Sequence, residues 1–356
     1  MTRGFEIYAL LHHPVGFSAR SGMGGLAEAL GAHPVFYTNT WSRLEKISWT
    51  LAHGARRFGN WYSGSDLNEL VPVWDEWRFL AAIPAGRPSI AHFLWADSAC
   101  PKWPGLFHRK GARVIGTFHA SVWRYRRALS RFRGFSRFDR VTAMSESQRP
   151  YLLEAGVPAE RISVILHGVD AAFFRPGGRP PAGGPLRGLL VGSTERDHAF
   201  MAQVMRALPA GVLALSVLTC DAQKAHYRET PGVTLLAPLS DAQLLDAYRS
   251  ADLFVIPMID CTANNAMLEA MACGTPVLSN RVGGVPEYAG QDVSFILEDK
   301  SVDRWVDTIR DLAGRRDELE ALRPRVRAWA ERFDWPRVAP EYERVYRSAL
   351  GLAPRA

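Results

Sequence analysis

Residues 251–287 constrain the fold most, because their pattern predicts two buried strands on either side of one short helix. Apolar runs without alternation are typical of parallel strands that are buried on both faces. Asn264 and Asn265 are good helix caps, and Gly274 is a good helix terminator. The predicted elements are a strand at 252–257, a helix at 266–273, a strand at 277–279 and a glycine loop at 283–284. This order is typical of an open α/β sheet.

The ends of these elements predict a site for an anion. In open α/β sheets, helix N-termini and the loops after the strands lie together at the carboxyl ends of the strands, where ligands bind. Backbone N–H groups there favour a diphosphate. Glu269 is the one ionisable residue of the predicted helix. It either faces the ligand or is satisfied by a partner that the sequence does not show, and the alternative is a partly exposed helical glutamate.

The segment LEAMACGTPV, followed by GGVPE, resembles the donor-binding signature of the family 4 retaining glycosyltransferases, enzymes of the GT-B fold. Residues 139–176 look like the family's segment that closes its N-terminal domain. Thr117-Phe118-His119 is similar to its Thr-x-His element, residues 21–25 to its Gly-rich loop, and residues 333–350 to its terminal helix. The resemblance implies an α/β protein with two Rossmann-like domains whose parallel sheets face a crevice.

The coarse pattern of the chain agrees with two domains, since 356 residues can bury two ordinary cores. We predict an acceptor-side N-terminal domain over 1–175, a Pro/Gly-rich linker over 176–188, a nucleotide-sugar domain over 189–335 and a helix over 336–356 that crosses back to the first domain. Strands are predicted near 5–11, 34–37, 90–95, 113–116, 140–144, 163–166, 189–191, 212–219, 234–237, 253–257, 277–279 and 294–297. Ser145 with Gln148, and Ser240 with Gln243, predict capping boxes.

The resemblance implies roles for single residues. His119 would contact the donor sugar or its reacting face, and Gly24 and Gly25 would line the crevice at a helix N-terminus. Glu269 would contact the ribose of the nucleotide. Without the resemblance, His119 reads as an ordinary core or surface histidine and the glycines as a plain turn. His167 stands where the family often has Asn, and no role is assigned to it.

The segment after the first strand of the second half departs from the family pattern. Ser193 stands at the place of the family's diphosphate-binding Arg, and His198 lies near the place of its Lys. Arg196 is the best local substitute, because a guanidinium can bind phosphate oxygens bidentately. The alternative is a solvated loop arginine.

A second departure concerns the sugar. The family's signature is Glu, seven residues, Glu, and Cys261 takes the first position. Asp260, Thr262, Asn264 or Asn265 can supply the missing contact through a side chain or a backbone N–H group. The departure signals either a different donor sugar or a loss of activity. The predicted nucleotide-sugar residues are Gly24, Gly25, Ser193, Arg196, Cys261, Thr262, Asn264, Asn265, Ala266 and Glu269, and the predicted catalytic residues are His119 and Glu269.

The resemblance implies a retaining transferase of the hexosyl type, acting in bacterial polysaccharide, glycolipid or glycoconjugate synthesis. Its donor would be a UDP- or GDP-sugar. Orientation of the reactants and stabilisation of the leaving diphosphate would carry the catalysis. The sequence has no Asp-x-Asp motif, so neither a metal nor another cofactor is expected. An epimerase-like nucleotide-sugar enzyme and an inactive binding subunit remain open.

The net charge of +7 is concentrated in the segment 121–140. Its arginines are Arg124, Arg126, Arg127, Arg131, Arg133, Arg137 and Arg140, and its aromatic residues are Trp123, Tyr125, Phe132, Phe135 and Phe138. This mixture suits an anionic membrane or a lipid-diphosphate acceptor, and a solvated basic face is the alternative. No nucleic-acid motif is present. Unpaired cysteine spacing, no signal peptide and no long apolar run predict a cytoplasmic protein, peripheral at the inner membrane face if membrane-bound.

Overall fold

The computed structural model describes residues 3–11, 20–36, 73–127, 129, 132–181 and 183–354. These residues group into two compact units. The first unit contains the described residues of 3–11, 23–166 and 338–354, and the second contains residues 20–22 and 167–337. No helix in the described part of the chain is long and apolar enough to cross a membrane.

The first unit is built on a parallel sheet whose order is β2-β1-β3-β4-β5-β6. Its strands are β1 (Glu6–Leu11), β2 (His33–Phe36), β3 (Ser89–Phe93), β4 (Ala112–Phe118), β5 (Arg140–Ala143) and β6 (Ile162–Val164). Every residue of β3 is buried, as expected for a central strand that is covered on both faces. The helices are α1 (Gly24–Ala29), α2 (Val73–Ala82), α3 (Pro104–Arg109), α4 (Val122–Arg127) and α5 (Arg149–Glu154).

The predicted capping box at Ser145 is wrong. The Ser145 hydroxyl accepts from the Ser147 N–H group and opens a 3-10 turn, Glu146–Gln148, before α5 begins at Arg149. The Gln148 side chain is buried and turned inward, where it accepts from the Met144 N–H group at 2.7 Å. The side chain therefore ties the end of β5 to the core and does not return to the cap residue.

The second unit contains another parallel sheet, with the order β12-β11-β10-β7-β8-β9. Its strands are β7 (Leu186–Val191), β8 (Leu213–Leu218), β9 (Val233–Leu235), β10 (Leu253–Ile256), β11 (Val277–Asn280) and β12 (Ser294–Leu297). β7 begins three residues before the predicted position 189. Leu186 is fully buried and its N–H group donates to Val212 O at 2.9 Å, so the end of the predicted linker is already strand.

The helices of the second unit follow the predicted alternation. They are α6 (His198–Ala207), α7 (Asp221–Lys224), α8 (Asp241–Ser250), α9 (Asn265–Ala272), α10 (Val285–Tyr288), α11 (Val302–Gly314) and α12 (Arg316–Ala330). The capping box of Ser240 and Gln243 is confirmed at the start of α8. The last helix, α13 (Trp335–Ala349), starts in the second unit and continues from Val338 as part of the first.

The expected fold class, an α/β protein with two Rossmann-like parallel-sheet domains, is confirmed. Each sheet has an apolar core of its own. Each also has a point where the strand order reverses, between β1 and β3 in the first sheet and between β7 and β10 in the second. Open parallel sheets bind ligands at the carboxyl ends of the strands beside such a point.

Candidate functional site

In the second unit, the loops after β7 and β10 are bonded to each other at the reversal point. The Asp197 N–H group donates to Pro257 O at 2.8 Å, and the Ile259 N–H group donates to Glu195 O at 2.8 Å. These two loops and the start of α9 carry the residues predicted for the nucleotide sugar, apart from the glycines of the first unit. The sequence motifs therefore converge at the place where the topology expects a ligand.

Arg196 is held in this site by its neighbours. One guanidinium nitrogen donates to Asn264 Oδ1 at 3.0 Å, and another donates to Thr194 O at 2.6 Å. Gly192, at φ +103°, leaves the room for it, since a Cβ there would lie 2.8 Å from Arg196 Nε. That Nε is buried and has no hydrogen-bond partner among the described residues. The alternative of a freely solvated loop arginine is therefore wrong.

The two residues at the family's cation positions do not supply charge. Ser193 Oγ accepts from the Cys220 N–H group at 3.0 Å and lies 3.0 Å from Thr219 Oγ1. His198 is buried, with Nδ1 2.9 Å from the Tyr227 hydroxyl, and burial lowers the pKa of the imidazole to about 4. His198 is thus neutral near pH 7 and belongs to the core.

A lysine that the sequence did not single out lies at the start of α6. Lys300 Nζ donates to Asp197 Oδ2 at 2.5 Å, and Asp197 is the N-cap residue of α6. Lys300 follows β12, far along the chain from the segment after β7 where the resemblance implies a lysine. Among the described residues, Arg196 is the cation bonded to the N-cap residue of α9.

The N-terminus of α9 is ordered by Asn264. Its side-chain oxygen accepts from the Met267 N–H group at 3.1 Å as well as from Arg196, which makes it the N-cap as predicted. Asn265 and Ala266 follow in the first turn, where helix N–H groups have no intrahelical acceptor. Thr262 is buried just before the cap. The residues predicted to bind an anion therefore lie together at the start of this helix.

Cys261 contributes shape rather than charge. Its side chain is buried, and burial raises the pKa of the thiol to about 12, so it stays protonated. Its carbonyl accepts from the Gly284 N–H group at 2.8 Å. A Cβ on Gly283, at φ +49°, would lie 2.1 Å from that carbonyl oxygen. The predicted glycine loop therefore serves a close backbone contact with the Cys261 segment.

Glu269 is 3% exposed, so the alternative of a partly exposed glutamate is wrong. Its carboxylate accepts from the Tyr248 hydroxyl at 2.8 Å and from the Ser21 hydroxyl, and residues 20–22 belong to the second unit. Burial raises the pKa of this carboxyl, and the two hydroxyl donors oppose that rise. Tyr248 was missed, although its spacing of four from buried Leu244 on α8 is a helical core signal.

In the first unit, His119 follows β4 and lies against the loop after β3. Its ring stacks on Trp95, with centroids 3.9 Å apart at 15°. Its Nε2 is 2.7 Å from Leu94 O, and its N–H group donates to Asp97 Oδ2 at 2.5 Å. Asp97 is buried, which raises the pKa of its carboxyl, and Tyr125 donates a further hydrogen bond to it. Sequence reasoning missed Trp95 and Asp97.

The predicted Gly-rich loop lies partly in the described chain. Gly24 and Gly25 open α1 in the first unit. Among the described residues, a Cβ on Gly24 would meet no heavy atom within 4 Å, so packing does not require the glycine. Residues 12–19, which precede this loop, lie outside the described residues.

The aromatic residues of the basic segment do not face outward as predicted. Tyr125, Phe132, Phe135 and Phe138 are buried in the core of the first unit, and only Trp123 of the five is exposed, at 38%. The exposed arginines are Arg126, Arg127 and Arg133, while Arg131 lies outside the described residues. Within the described residues, no group of three or more His, Cys, Asp or Glu side chains is arranged to hold a metal ion.

Two family models match the chain. Residues 23–173 match the model described as Glycosyltransferase Family 4, and residues 190–315 match the model described as Glycosyl transferases group 1. The matches leave out residues 1–22, which include β1, residues 174–189, which include most of β7, and residues 316–356, which include α12 and α13.

Curated relatives include two D-inositol 3-phosphate glycosyltransferases. The protein from Segniliparus rotundus is 31% identical over 246 residues, which is 61% of this chain and 54% of that protein. The protein from Mycolicibacterium smegmatis is 29% identical over 218 residues, which is 55% of this chain and 50% of that protein. The chain therefore spans about half the length of these relatives.

Solved structures agree on the fold over nearly the whole chain. The Anabaena protein HepE in complex with UDP and glucose has a TM-score of 0.69 at 14% identity, covering 96% of this chain and 99% of that chain. Sucrose-phosphate synthase from Thermosynechococcus elongatus has a TM-score of 0.67 at 15% identity, covering 97% and 99%. At such identities the likeness concerns the fold.

Proposed function

The chain belongs to the family 4 glycosyltransferases of the GT-B fold, and from this we propose that it transfers a hexosyl group from a nucleotide sugar to an acceptor hydroxyl. The observation that carries the proposal is the site on α9. The buried carboxylate of Glu269 lies on α9, and the Arg196 guanidinium is bonded to the N-cap residue of the same short helix, at the reversal point of the sheet. That arrangement suits a nucleoside diphosphate.

Within the proposed donor site, each contact has a physical role. The ribose hydroxyls donate to the Glu269 carboxylate, because a carboxylate oxygen accepts more than one hydrogen bond. The diphosphate takes the Arg196 guanidinium and the first N–H groups of α9, at Asn265 and Ala266. The sugar meets Thr262 and the Asp260–Cys261 backbone, where the family's first glutamate is absent.

The proposed reaction retains the anomeric configuration and binds a UDP- or GDP-sugar without a metal. Arg196 and the α9 N-terminus then supply the positive charge that the leaving diphosphate needs. His119 contacts the reacting sugar. Orientation of the acceptor and the donor in the site accelerates the reaction, because bound reactants have already lost the translational and rotational entropy that a bimolecular step costs.

A panel of nucleotide sugars tests this function directly. Wild-type protein is incubated with UDP- and GDP-hexoses and a mixed set of acceptors, with and without EDTA, and free nucleoside diphosphate is measured. We expect release with at least one donor, unchanged by EDTA, and an α-linked product from an α-linked donor. Interconversion of donors without release indicates an epimerase-like enzyme, and tight binding without either reaction indicates an inactive binding subunit. Both of these results contradict the proposal.

We also propose that the acceptor is lipid-linked and that the exposed arginines of α4 and its following loop bring the first unit to an anionic membrane. The support is charge alone, since the aromatic residues of that segment are in the core. Each arginine near such a surface contributes about 1 kcal/mol, over a Debye length of about 8 Å at physiological salt. The proposed location is cytoplasmic, with the protein peripheral at the inner face of the cell membrane.

Vesicle co-sedimentation tests the membrane proposal. We expect binding to anionic vesicles at low salt, loss of binding at high salt, and loss of binding when Arg126, Arg127 and Arg133 are changed to Glu. The matched control changes Arg304, Arg310 and Arg315 to Glu, which alters the net charge equally in the second unit. No sedimentation at low salt, or equal loss in both variants, contradicts the proposal. Donor turnover does not depend on this result.

A further inference from the structure

The His119 ring is held on two sides by the loop after β3. One face stacks on Trp95 at 3.9 Å, almost parallel at 15°. One edge reaches Leu94 O, which lies 2.7 Å from Nε2. A carbonyl oxygen only accepts hydrogen bonds, so Nε2 must be the donor. In a neutral imidazole the other nitrogen, Nδ1, then carries the lone pair, and any hydrogen bond at Nδ1 is one that it accepts.

The main chain at His119 is fixed by the same loop. Asp97 Oδ2 accepts from the His119 N–H group at 2.5 Å, and Asp97 Oδ1 accepts from the Ala120 N–H group at 3.3 Å. The Tyr125 hydroxyl adds a third donor to this carboxylate, which is only 7% exposed. A buried carboxylate with three donors is costly to displace, because each donor offsets the loss of hydration.

The register of the sheet explains why this loop meets His119. Phe93, the last residue of β3, pairs with Gly116 of β4, so the chain leaving β3 runs beside the end of β4. The Ala96 N–H group donates to Thr117 O at 2.9 Å and ties the loop to that strand. The contacts to His119 therefore follow from the register at the carboxyl ends of β3 and β4.

We propose that the Leu94–Asp97 loop fixes His119 as its Nε2–H tautomer, and that Trp95 and Asp97 are positioning residues for the sugar that His119 contacts. The part about the sugar rests on the proposed transferase function. In this tautomer the Nε2–H group is already used by Leu94 O and Nδ1 only accepts, so the neutral ring offers no hydrogen bond to a phosphate oxygen.

The tautomer is measured without any substrate. The full chain, labelled with 15N-histidine, is studied by NMR at a pH where the His119 ring is neutral, and the His119→Gln spectrum assigns its signals. We expect Nε2 to show a protonated shift and Nδ1 an unprotonated one. A protonated Nδ1, or an equal mixture of tautomers, overturns the proposal. Because this readout needs no turnover, it stands even if no donor is ever processed.

Two substitutions connect the loop to the reaction. Trp95→Leu removes the stacking face, and Trp77→Leu removes an exposed tryptophan of the same unit as the matched control. We expect Trp95→Leu to mix the tautomers and to lower kcat roughly tenfold, which is less than the loss of about a hundredfold that a misplacement of about 1 Å can cause. Donor KM should stay within about threefold, and Trp77→Leu should change neither readout. An unchanged tautomer and an unchanged kcat in Trp95→Leu overturn the positioning role.

Asp97 is tested by a graded pair. Asp97→Asn keeps one oxygen for the His119 N–H group, whereas Asp97→Ala keeps none. We expect Asn to retain more of the wild-type tautomer and of kcat than Ala does, because a merely structural defect would not track the acceptor oxygen. If Trp95→Leu fails to fold, Trp95→Met gives the same readouts, because it also lacks an aromatic face and its flexible side chain adapts to the space. Equal behaviour of Asp97→Asn and Asp97→Ala, both folded, contradicts the assignment.

Discussion

His119 in the first unit and Glu269 in the second are both polar groups next to the carboxyl ends of parallel strands, yet they are held differently. His119 is held by the loop of the adjacent strand, within 25 positions of itself. Glu269 is held by Tyr248 on the preceding helix and by Ser21, 248 positions away. The topology places such residues, while their partners come from wherever packing brings a suitable donor or acceptor. The contacts of His119 therefore depend on the register of neighbouring strands, and those of Glu269 depend on tertiary packing.

The largest effect is expected from a change at His119, and it should fall on turnover. His119→Ala should lower turnover about a hundredfold, since the loss of a contact to the reacting sugar misplaces it, while nucleoside diphosphate affinity stays near the wild-type value. Steady-state kinetics and calorimetry on the same preparation measure the two quantities. Turnover within a few fold of wild type means that His119 serves only the fold of the first unit.

Glu269→Ala should lower nucleotide affinity, the quantity that His119→Ala leaves near the wild-type value. Hydrogen bonds to a charged group contribute about 1.5–3 kcal/mol, so nucleotide binding should weaken about ten- to a hundredfold. Glu269→Gln is the control, because it keeps the volume and one acceptor oxygen for Tyr248. Calorimetry that finds unchanged affinity in a folded Glu269→Ala protein removes the ribose assignment.

Arg196→Ala separates the contribution of the phosphates to binding from that of the ribose. Affinity for the nucleoside diphosphate should fall about tenfold, whereas affinity for the bare nucleoside should hardly change, because only the diphosphate has oxygens for the guanidinium. Arg206→Ala, on the far end of α6, is the matched control. Equal losses for the two ligands would show that Arg196 matters through the cap residue Asn264 instead.

Tyr248→Phe should give the smallest effect of the series. It removes a hydroxyl that holds Glu269 without contacting the nucleotide, so only part of the about 1.5–3 kcal/mol of a hydrogen bond to a charged group should reach binding. Nucleotide affinity should fall about two- to tenfold, and turnover should follow only through affinity. Binding isotherms check the first statement and saturating kinetics the second. A larger loss of kcat than of affinity would mean that Tyr248 reaches the reacting sugar.

Much of the fold could be predicted, because strands in this chain are continuous apolar runs bounded by Gly, Pro and caps. Asn264, Gly274 and Gly283 act through local backbone geometry, which the sequence states directly. The hydrogen-bond partners of the site residues could not be predicted in this way. Asp97 and Tyr248 read as ordinary residues in isolation, since what distinguishes them is a contact made only after strands and helices have assembled.

The basic segment shows where composition misleads. Phe132, Phe135 and Phe138 alternate with arginines, which suggested an amphipathic surface, yet their rings pack among themselves and with Phe118 in the core. Short irregular segments have no fixed period, so neither face can be assigned from spacing. Burial of the phenylalanine rings is favourable because it removes apolar area from water. The long side chains of the neighbouring arginines let their charged groups stay in solvent.

The C-terminal helix has a consequence for how the protein is made. Tyr342 and Tyr346 are fully buried in the first unit, and Tyr346 lies 2.7 Å from His92, 254 positions earlier in the chain. A chain leaving the ribosome offers its N-terminal strands first, but their core lacks these two rings until residues 342–346 have emerged. Residues 167–337 have emerged by then. The second unit can therefore complete its core before the first, whose core stays incomplete until α13 is synthesised.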